Sequence, residues 1–411
     1  MAPTPSASTT VWITPTGAFK RLIGLDAQPA LTHWLALVLA PGLGTRRFAR
    51  LHKHFGTALG WVHQPDAALR EAGLSDVQIR ALHQPEPELL ERCLRWLEGD
   101  RRHLVTLDDD YYPPLLREIP DPPPALFVAG EPDCLLQPQL AIVGSRNASP
   151  GGLDHARSFA ETLARAGLII TSGLAAGIDG AAHQASLKAG GKTIAVAGTG
   201  LDRVYPARHR DLARDIAGNG ALVSTFPPGV EPRPGNFPAR NRVISGMSLG
   251  TLVIEAGQRS GSLITARLAA EQGREIFAVP GSVHNPLARG CHRLIREGGK
   301  LVETAEDVLE DLQPLARQLG LALAERLARE PDQQQEGQLD SAANPPHVQL
   351  DRDYQHLLDT VGYDPTPVDE IIARSQLTTA AVSSMLLMLE LDGYIAAHAG
   401  GRYSRTNKDS E

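Results

Sequence analysis

Six short apolar runs, separated by segments long enough to form helices, fill the middle of this 411-residue chain. The runs are apolar throughout rather than alternating, which is typical of parallel strands that are covered by helices on both faces. This order of strands and helices predicts a doubly wound, Rossmann-like α/β domain. The runs are LAIVG (140–144), LIITSG (168–173), TIAVAG (193–198), ALVST (221–225), GTLVIEA (250–256) and EIFAVPG (275–281).

The composition changes on both sides of these runs, and the chain is longer than one typical domain. On the N-terminal side we expect a disordered tail (1–30) and then a helical domain (31–99). We expect the Rossmann-like domain to occupy 100–315. Its first part, 100–139, is rich in proline and is expected to be an extended segment that leads into the sheet.

A tight turn, PGLG (41–44), opens a basic helix in the N-terminal helical domain. This pattern resembles a helix-hairpin-helix unit, in which glycines let backbone N–H groups approach a phosphate. The positive charges that follow the turn are Arg46, Arg47, Arg50 and Lys53, and EAGLSDVQIRAL is a weaker copy of the same pattern. The alternative is a helix corner with an ordinary basic face, so this domain is compatible with duplex binding, single-strand binding or neither.

A polar linker (328–350) leads to three helical patterns and a short hairpin (351–408), the order of a winged helix-turn-helix. Residues 352–408 carry 5 Lys+Arg against 7 Asp+Glu, and the expected recognition helix, TTAAVSSMLLMLEL, has no basic residue. A reader of duplex DNA normally neutralises phosphates. We therefore expect this domain to contact protein, which disfavours a transcription regulator.

The charge distribution points to an anionic partner for the central domain. The whole chain has a net charge of -7, but residues 140–300 hold 19 Lys+Arg and 11 Asp+Glu, a balance of +8. A basic segment between acidic ends favours a polyanion such as nucleic acid, although a randomly clustered surface is the alternative.

Other features of the composition exclude several classes of protein. No apolar run approaches the roughly 18 to 20 residues that cross a bilayer, and the start lacks a basic and then apolar signal region. Cys93, Cys134 and Cys291 lie too far apart for a disulfide framework or a paired-thiolate zinc site. We expect a cytoplasmic protein that has no membrane contact, metal or cofactor.

Small and polar residues follow the predicted strands, at the edge where open parallel sheets bind ligands. Bare backbone N–H groups and hydroxyls at that edge suit anionic oxygens. Several such places around one edge fit a polyanion better than a mononucleotide. The residues are Gly144, Ser145 and Arg146 after the first run, Ser172, Gly173 and Gly177 after the second, Gly198 and Gly200 after the third, and Ser260, Gly261, Ser262 and Thr265 after the fifth.

Three patterns resemble catalytic or nucleotide motifs but do not satisfy them. Gly190–Thr193 (GGKT) lacks the first glycine of a P-loop and runs into a strand, and Gly198–Arg203 lacks the third glycine of a dinucleotide fingerprint. Asp179 and His183 are spaced as an acid/base pair, but a helix N-terminal carboxylate with a structural histidine is the favoured interpretation. We therefore expect no enzyme activity, and the alternative is a Rossmann-like nucleotide hydrolase.

The ordered succession AIVGSR, TSGLAAGIDGAAH, VAGTGLDRVYP, FPARNRVISGMS, VIEAGQRSGSLITA and FAVPGSVHNPLARGCHRLIREGGKLV resembles the DprA/Smf family of DNA-processing proteins. The resemblance runs from about residue 108 to 312. It implies a homodimeric, non-catalytic protein that binds incoming single-stranded DNA during natural transformation. It also implies that the protein helps to load a RecA-type recombinase on that strand.

Carried over by motif, the resemblance places Arg146, the glycine loops and Phe237 through Arg242 along the DNA groove. Some relatives have a lysine three residues before the phenylalanine, where this chain has Pro234. Phe237 is expected to stack on bases, or else to anchor a loop. Arg146, Arg240 and Arg242, which flank Asn241, are candidates for phosphate contacts. Alternatively, Arg240 or Arg242 is the buried ion-pair partner of Glu255.

Overall fold

The computed structural model describes residues 27–57, 60–61, 63–329, 352–361, 366–375, 377, 382, 385–386, 389–390, 394–398 and 402–406. These residues form two compact units that divide at residue 331. The expected tail (1–30) and linker (328–350) lie outside the described residues, except for 27–30 and 328–329, which are helical.

Five helices whose full range is described lie in the N-terminal part of the first unit, around a core that includes Trp34, Phe48 and Trp61. Two tight turns, with left-handed glycines at Gly42 and Gly73, precede the second and fourth of them. The helices are α1 (Ala27–Leu39), α2 (Thr45–Phe55), α3 (Asp66–Glu71), α4 (Asp76–His83) and α5 (Pro87–Leu97).

A nine-stranded, mostly parallel sheet follows, in the spatial order β1-β2-β6-β5-β4-β3-β7-β8-β9. All six apolar runs form strands, and the parallel pairs are in close register, as in Ala141 opposite Thr251. The strands are β1 (Arg102–Thr106), β2 (Ala125–Gly130), β3 (Gln139–Val143), β4 (Ile169–Ser172), β5 (Thr193–Val196), β6 (Ala221–Ser224), β7 (Gly250–Val253), β8 (Glu275–Ala278) and β9 (Lys300–Leu301).

Helices cover both faces of this sheet, so alternate residues of β3 enter different cores. Leu140 and Ile142 pack in the core that contains Phe159, whereas Ala141 and Val143 pack in the core that contains Val243. The helices are α6 (Pro114–Arg117), α7 (Pro150–Arg165), α8 (Ile178–Lys188), α9 (Arg210–Asn219), α10 (Asn236–Met247), α11 (Gly261–Glu271), α12 (Arg289–Arg296) and α13 (Ala305–Arg329). The predicted doubly wound fold is confirmed.

The segment 100–139 is not the extended lead-in that its prolines suggested. It contributes β1 and β2, which pair antiparallel with each other and extend the sheet beyond β6, where Phe127 lies opposite Ser224. The prolines fall mainly in the connection between these strands, because a proline cannot donate to a sheet ladder. The short strand β9 was also not predicted.

The second unit has the helices and hairpin of a winged helix-turn-helix. Its three strands are ordered β10-β12-β11, and its core includes Leu357, Ile371 and Leu389. The elements are α14 (Arg352–Thr360), β10 (Thr366–Pro367), α15 (Val368–Ser375), β11 (Ile395–His398) and β12 (Arg402–Arg405). Most of the expected recognition helix lies outside the described residues. In the described part of the chain, no helix has the length and apolar content to cross a membrane.

Phe127 provides a test of the antiparallel extension, since its ring is fully buried against Trp96 of α5. Phe127→Ala should lower the free energy of unfolding by about 3–5 kcal/mol, because it leaves a cavity between the sheet and the N-terminal helices. Urea denaturation measures this loss. Val77→Ala, at a side chain that is 54% exposed, is the control and should change it by less than about 0.5 kcal/mol. Equal midpoints for the two variants would contradict the packing of β2.

Candidate nucleic-acid interface

A cleft of 730 Å³ lies at the carboxyl edge of the sheet, where the chain order reverses between β3 and β7. Open α/β sheets bind ligands at such a switch point, because the loops on either side diverge there. Ten of the expected site residues line it: Gly144, Ser145, Arg146, Phe237, Arg240, Asn241, Ser260, Gly261, Ser262 and Thr265.

The loop after β3 brings Arg146 to the mouth of the cleft. The backbone of Gly177, in the left-handed region at φ +77°, lies so close to this loop that a Cβ would meet the Ser145 carbonyl oxygen at 2.2 Å. The Ile178 N–H also donates to that oxygen at 3.2 Å. Gly177 therefore does not line the cleft, but its lack of a side chain lets α8 hold the Arg146 loop in place.

Phe237 lies half-buried in the first turn of α10, with its ring against the backbone of Gly198. The guanidinium carbons of Arg146 and Arg240 lie 5.5 and 5.9 Å from the ring centroid, within cation–π range. The exposed ring of Tyr205 lies 5.8 Å away. Phe237 is thus an aromatic surface that two arginines and a tyrosine surround.

Arg240 lies beneath this ring and is only 5% exposed. Its Nη1 donates to the Val196 carbonyl oxygen at the end of β5, at 3.2 Å. Burial lowers the pKa of Arg240 to about 10, while the carboxylate of Asp179 opposes that shift. Asp179 accepts the backbone N–H of Gly173 at 3.1 Å, and a Cβ at Gly173 would overlap the Arg240 guanidinium. Arg240 therefore supplies positive charge from below the cleft and little contact surface.

Arg242 does not reach the cleft. Its side chain is paired with Asp121, donates to the Asp121 carbonyl oxygen at 2.5 Å, and bonds the Thr45 hydroxyl at 3.2 Å. Glu255 accepts the N–H of Ser149 at 2.9 Å and the hydroxyl of Ser149 at 2.6 Å, and among the described residues no arginine lies within ion-pair distance of it. The expected ion pair of Glu255 with Arg240 or Arg242 is therefore wrong.

Four other expected residues do not line the cleft: Gly173 and Gly198, which pack against Arg240 and Phe237, and Ser172 and Gly200. Ser172 is fully buried and donates to the Ile142 carbonyl oxygen at 2.6 Å. Gly200 packs its backbone against Pro227, where a Cβ would meet a carbonyl oxygen at 2.5 Å. Both residues stabilise the strand ends, and they do not offer groups to a ligand.

The N-terminus of α11 forms the opposite wall of the cleft. Ser260 is its N-cap residue and accepts the N–H of Ser262, and the two hydroxyls lie 2.7 Å apart. Asn241 donates to the Gly261 carbonyl oxygen across the cleft at 3.4 Å. This wall offers hydroxyl groups and a positive helix end, which suit an anionic oxygen.

The loop after β5 adds groups that sequence reasoning missed. Tyr205 is 48% exposed beside Phe237, and Arg208 and Arg210 follow it on the surface. His209 fixes this loop to the neighbouring one through a 2.9 Å hydrogen bond to the Leu174 carbonyl oxygen. Among the described residues, neither Arg208 nor Arg210 has a carboxylate within 4.0 Å. The signal was present in the motif DRVYPARHR, where an aromatic residue precedes three basic ones.

Asp179 and His183 have the spacing of an acid/base pair, and the structure shows the contacts of each. Asp179 is the single carboxylate among the described residues that line the cleft, and it is already bonded to two backbone N–H groups, those of Gly173 and Ala175. His183 lies behind it in the core, against Thr193 at 2.7 Å. The interpretation of these two residues as a helix N-terminal carboxylate and a structural histidine agrees with the structure. No cluster of three potential metal ligands occurs in the described ranges.

Comparison with known proteins gives the family. Residues 103–313 match the model of DNA recombination-mediator protein A, and residues 341–401 match that of the DprA winged helix domain. The chain is 45% identical to protein Smf of Escherichia coli (strain K12) over 340 residues, which cover 82% of this chain and 87% of that protein. The chain belongs to the DprA/Smf family.

A sequence and a solved structure from Streptococcus pneumoniae support this membership. The chain is 50% identical to DNA processing protein DprA of strain R6 over 206 residues, 50% of this chain and 72% of that protein. An X-ray structure of DNA processing protein A from the same species superposes with a TM-score of 0.62 at 37% identity. That match covers 68% of this chain and 97% of the other. The sheet and its carboxyl edge are thus those of DprA/Smf proteins.

Burial of His183 predicts a dependence of stability on pH. Desolvation lowers the pKa of His183 from 6.5 to about 3, so the unfolded chain binds more protons than the folded one between these values. Burial of neutral His183 therefore costs no stability above pH 6.5, and it lowers the free energy of unfolding as the pH falls below that value. His183→Asn removes the titrating group, and denaturation of both proteins between about pH 4 and 7 measures the difference.

In this comparison the wild type should lose stability relative to His183→Asn by about 1.4 kcal/mol per pH unit below about pH 6. Other titrating groups are common to both proteins and cancel in the difference. Parallel stability curves over the whole range would show that His183 is not held neutral in the core.

Proposed function

We propose that the cleft binds single-stranded DNA. The observation that carries the proposal is the exposed Arg146 guanidinium over the face of Phe237, at a sheet edge with a basic surface. A tolerant single-strand binder needs a positive groove for phosphates and an aromatic face for bases. The names of the relatives, DNA processing protein and DNA recombination-mediator protein, agree with a DNA ligand.

The shape of the cleft favours a single strand over a duplex. Phe237 is half-buried at the base of a recess between α10, α11 and the β3 loop, so a base must leave its stack to reach it. Bases in a duplex are paired and stacked, and only unpaired bases present a free face. Tyr205 beside Phe237 extends the aromatic surface toward a second base.

The residues have distinct roles in this proposal. Arg146 binds a phosphate, since a guanidinium matches its oxygens with two hydrogen bonds. Arg240 attracts the backbone from beneath the ring. The donors on the two walls, Gly144, Ser145, Asn241, Ser260, Gly261, Ser262 and Thr265, bind further oxygens. The residues that shape the strand ends are Ser172, Gly173, Gly177, Gly198 and Gly200.

Binding is proposed to be non-catalytic and to need no cofactor. A nucleotide hydrolase needs a base or metal next to the scissile phosphate, and the single carboxylate of the cleft is occupied by backbone N–H groups. Incubation of the purified protein with nucleoside triphosphates is expected to release no phosphate. Turnover that Arg146→Ala abolishes would instead favour the hydrolase.

The wider role is the protection of incoming single strands and the loading of a RecA-type recombinase in natural transformation, by a cytoplasmic homodimer. This proposal rests on family membership. The winged helix is proposed to contact protein, because residues 352–408 are weakly acidic. The loading is tested by following filament formation by a recombinase on a strand that is coated with single-strand binding protein. Addition of the full chain should shorten the lag before filaments form.

Arg146→Ala and Phe237→Ala should each weaken binding of an oligothymidine. Loss of the charged contact is expected to cost about 1.5–3 kcal/mol, and loss of stacking about 1–3 kcal/mol. Fluorescence anisotropy across a salt series measures both, and the slope of log K against log salt should flatten by about 0.7 for Arg146→Ala.

Arg157→Ala is the matched control, because this exposed arginine of α7 is paired with Asp154 away from the cleft. Phe237→Tyr should retain most of the affinity, since it keeps the aromatic face. Unchanged affinity and salt slope in both alanine variants would show that the strand binds elsewhere.

A further inference from the structure

Helix α2 carries a second group of cations outside the cleft. Arg46, Arg47, Arg50 and Lys53 lie at the three- and four-residue spacing that places side chains along one side of a helix. We call these four residues the α2 strip. Its ends are about 10 Å apart at the helical rise of 1.5 Å per residue, so it can meet more than one phosphate of an extended strand.

The strip borders a depression of 590 Å³ between α2 and α3. Arg47, Arg50 and Lys53 line it together with His54, and Glu71 is the one acidic residue among its described lining. The depression is large enough for a phosphate group, and three cationic side chains and one carboxylate line it. The net field of the depression therefore attracts an anion.

Among the described residues, one carboxylate, that of Asp121, lies within ion-pair distance of the strip. Arg47 donates to the neutral Gln78 at 3.1 Å, and Arg46, with 93% of its side chain exposed, reaches Asp121 only at 3.8 Å. Within the described part of the chain, Arg50 and Lys53 have no carboxylate oxygen within 4.0 Å. Exposed cations on this chain otherwise pair often with a carboxylate one helical turn away, as Arg165 does with Glu161.

The two hairpins of the N-terminal part differ in a way that supports a ligand at the first. Ser75 and Gln78 cap α4 with a reciprocal pair of hydrogen bonds. No side chain caps α2, whose N-cap residue is Gly44, and a Cβ at Gly44 would meet nothing within 4 Å. The N-cap position of α2 thus faces open space beside Arg46, while the start of the first hairpin is held by Gln78, whose Nε2 donates to the Pro41 carbonyl oxygen at 3.1 Å.

The strip begins beside Arg242, on the helix that also carries Phe237 of the cleft. Arg242 of α10 bonds the Thr45 hydroxyl at 3.2 Å, and both contact Asp121. Phe237 precedes Arg242 by five residues on the same helix, about 8 Å along its axis. A strand that leaves the cleft along α10 therefore arrives at the start of α2.

We infer that the α2 strip binds the backbone phosphates of the same DNA single strand after it leaves the cleft. This inference rests on the proposed function of the cleft and adds a second contact region, so the length of strand bound should exceed what the cleft alone covers. The contact is electrostatic and independent of base sequence, because the four residues of the strip are all cations.

The experiment compares oligothymidines of about 6 and about 20 nucleotides, one within and one above the usual range of single-strand site sizes. The double variant Arg50→Gln/Lys53→Gln is measured in the full chain by fluorescence anisotropy at several salt concentrations. The matched control is Arg157→Gln/Arg165→Gln, which removes the same charge from exposed positions of α7. Thermal unfolding confirms that both variants are folded.

The double variant should bind the long strand about 3- to 30-fold more weakly, with a salt slope reduced by about 0.7 to 1.4, and bind the short strand like wild type. The control should match wild type with both strands. Unchanged long-strand affinity, an equal loss in the control, or a loss seen only with duplex DNA overturns the inference. Failure of the proposed function is distinct, because it requires that Arg146→Ala bind the short strand as tightly as wild type.

Discussion

The buried guanidinium of Arg240 joins the elements that form the cleft. It spans from α10 to the end of β5 through the Val196 carbonyl oxygen, and it lies beside Asp179 at the start of α8. A buried charge is costly unless it is paired and hydrogen-bonded, so the surrounding groups must be placed closely. Gly173 and Gly198 meet this demand, since a side chain at either would displace the guanidinium or the ring of Phe237. The position of the aromatic surface therefore depends on a charge that hardly touches solvent.

The same arrangement explains why many of the strand ends consist of small residues. Some of the glycines that were expected in the groove do not line the cleft. Gly177 admits the backbone of the β3 loop, and Gly200 admits the backbone near Pro227. These two glycines therefore fix the positions of the Arg146 loop and of the loop after β5. Arg146, Phe237 and Tyr205 thus form the surface of the cleft, and the glycines set the distances between the loops that carry them.

The sequence predicted the parts of the structure that depend on neighbours in the chain. The six parallel strands followed from local apolar runs, and the place of Arg146 at the edge followed from the rule that parallel strands end there. The place of Phe237 beside it was implied by the family resemblance. Pairings between distant residues could not be read in this way. Arg242 meets Asp121 and Thr45 across more than a hundred residues, and β2 joins β6 although its segment is rich in proline. The missed Tyr205 reflects a different limit, because exposure of an aromatic side chain has no periodic signal.

The central claim is that bases of a single strand stack on Phe237 in the cleft. Photo-cross-linking of an oligothymidine that carries one photoreactive base, followed by mass spectrometry of the peptides, tests it most directly. The account predicts cross-links at Phe237 and Tyr205, which a large excess of unlabelled single strand removes and duplex of equal length does not. Cross-links confined to the winged helix unit, with single-strand affinity intact, would contradict it.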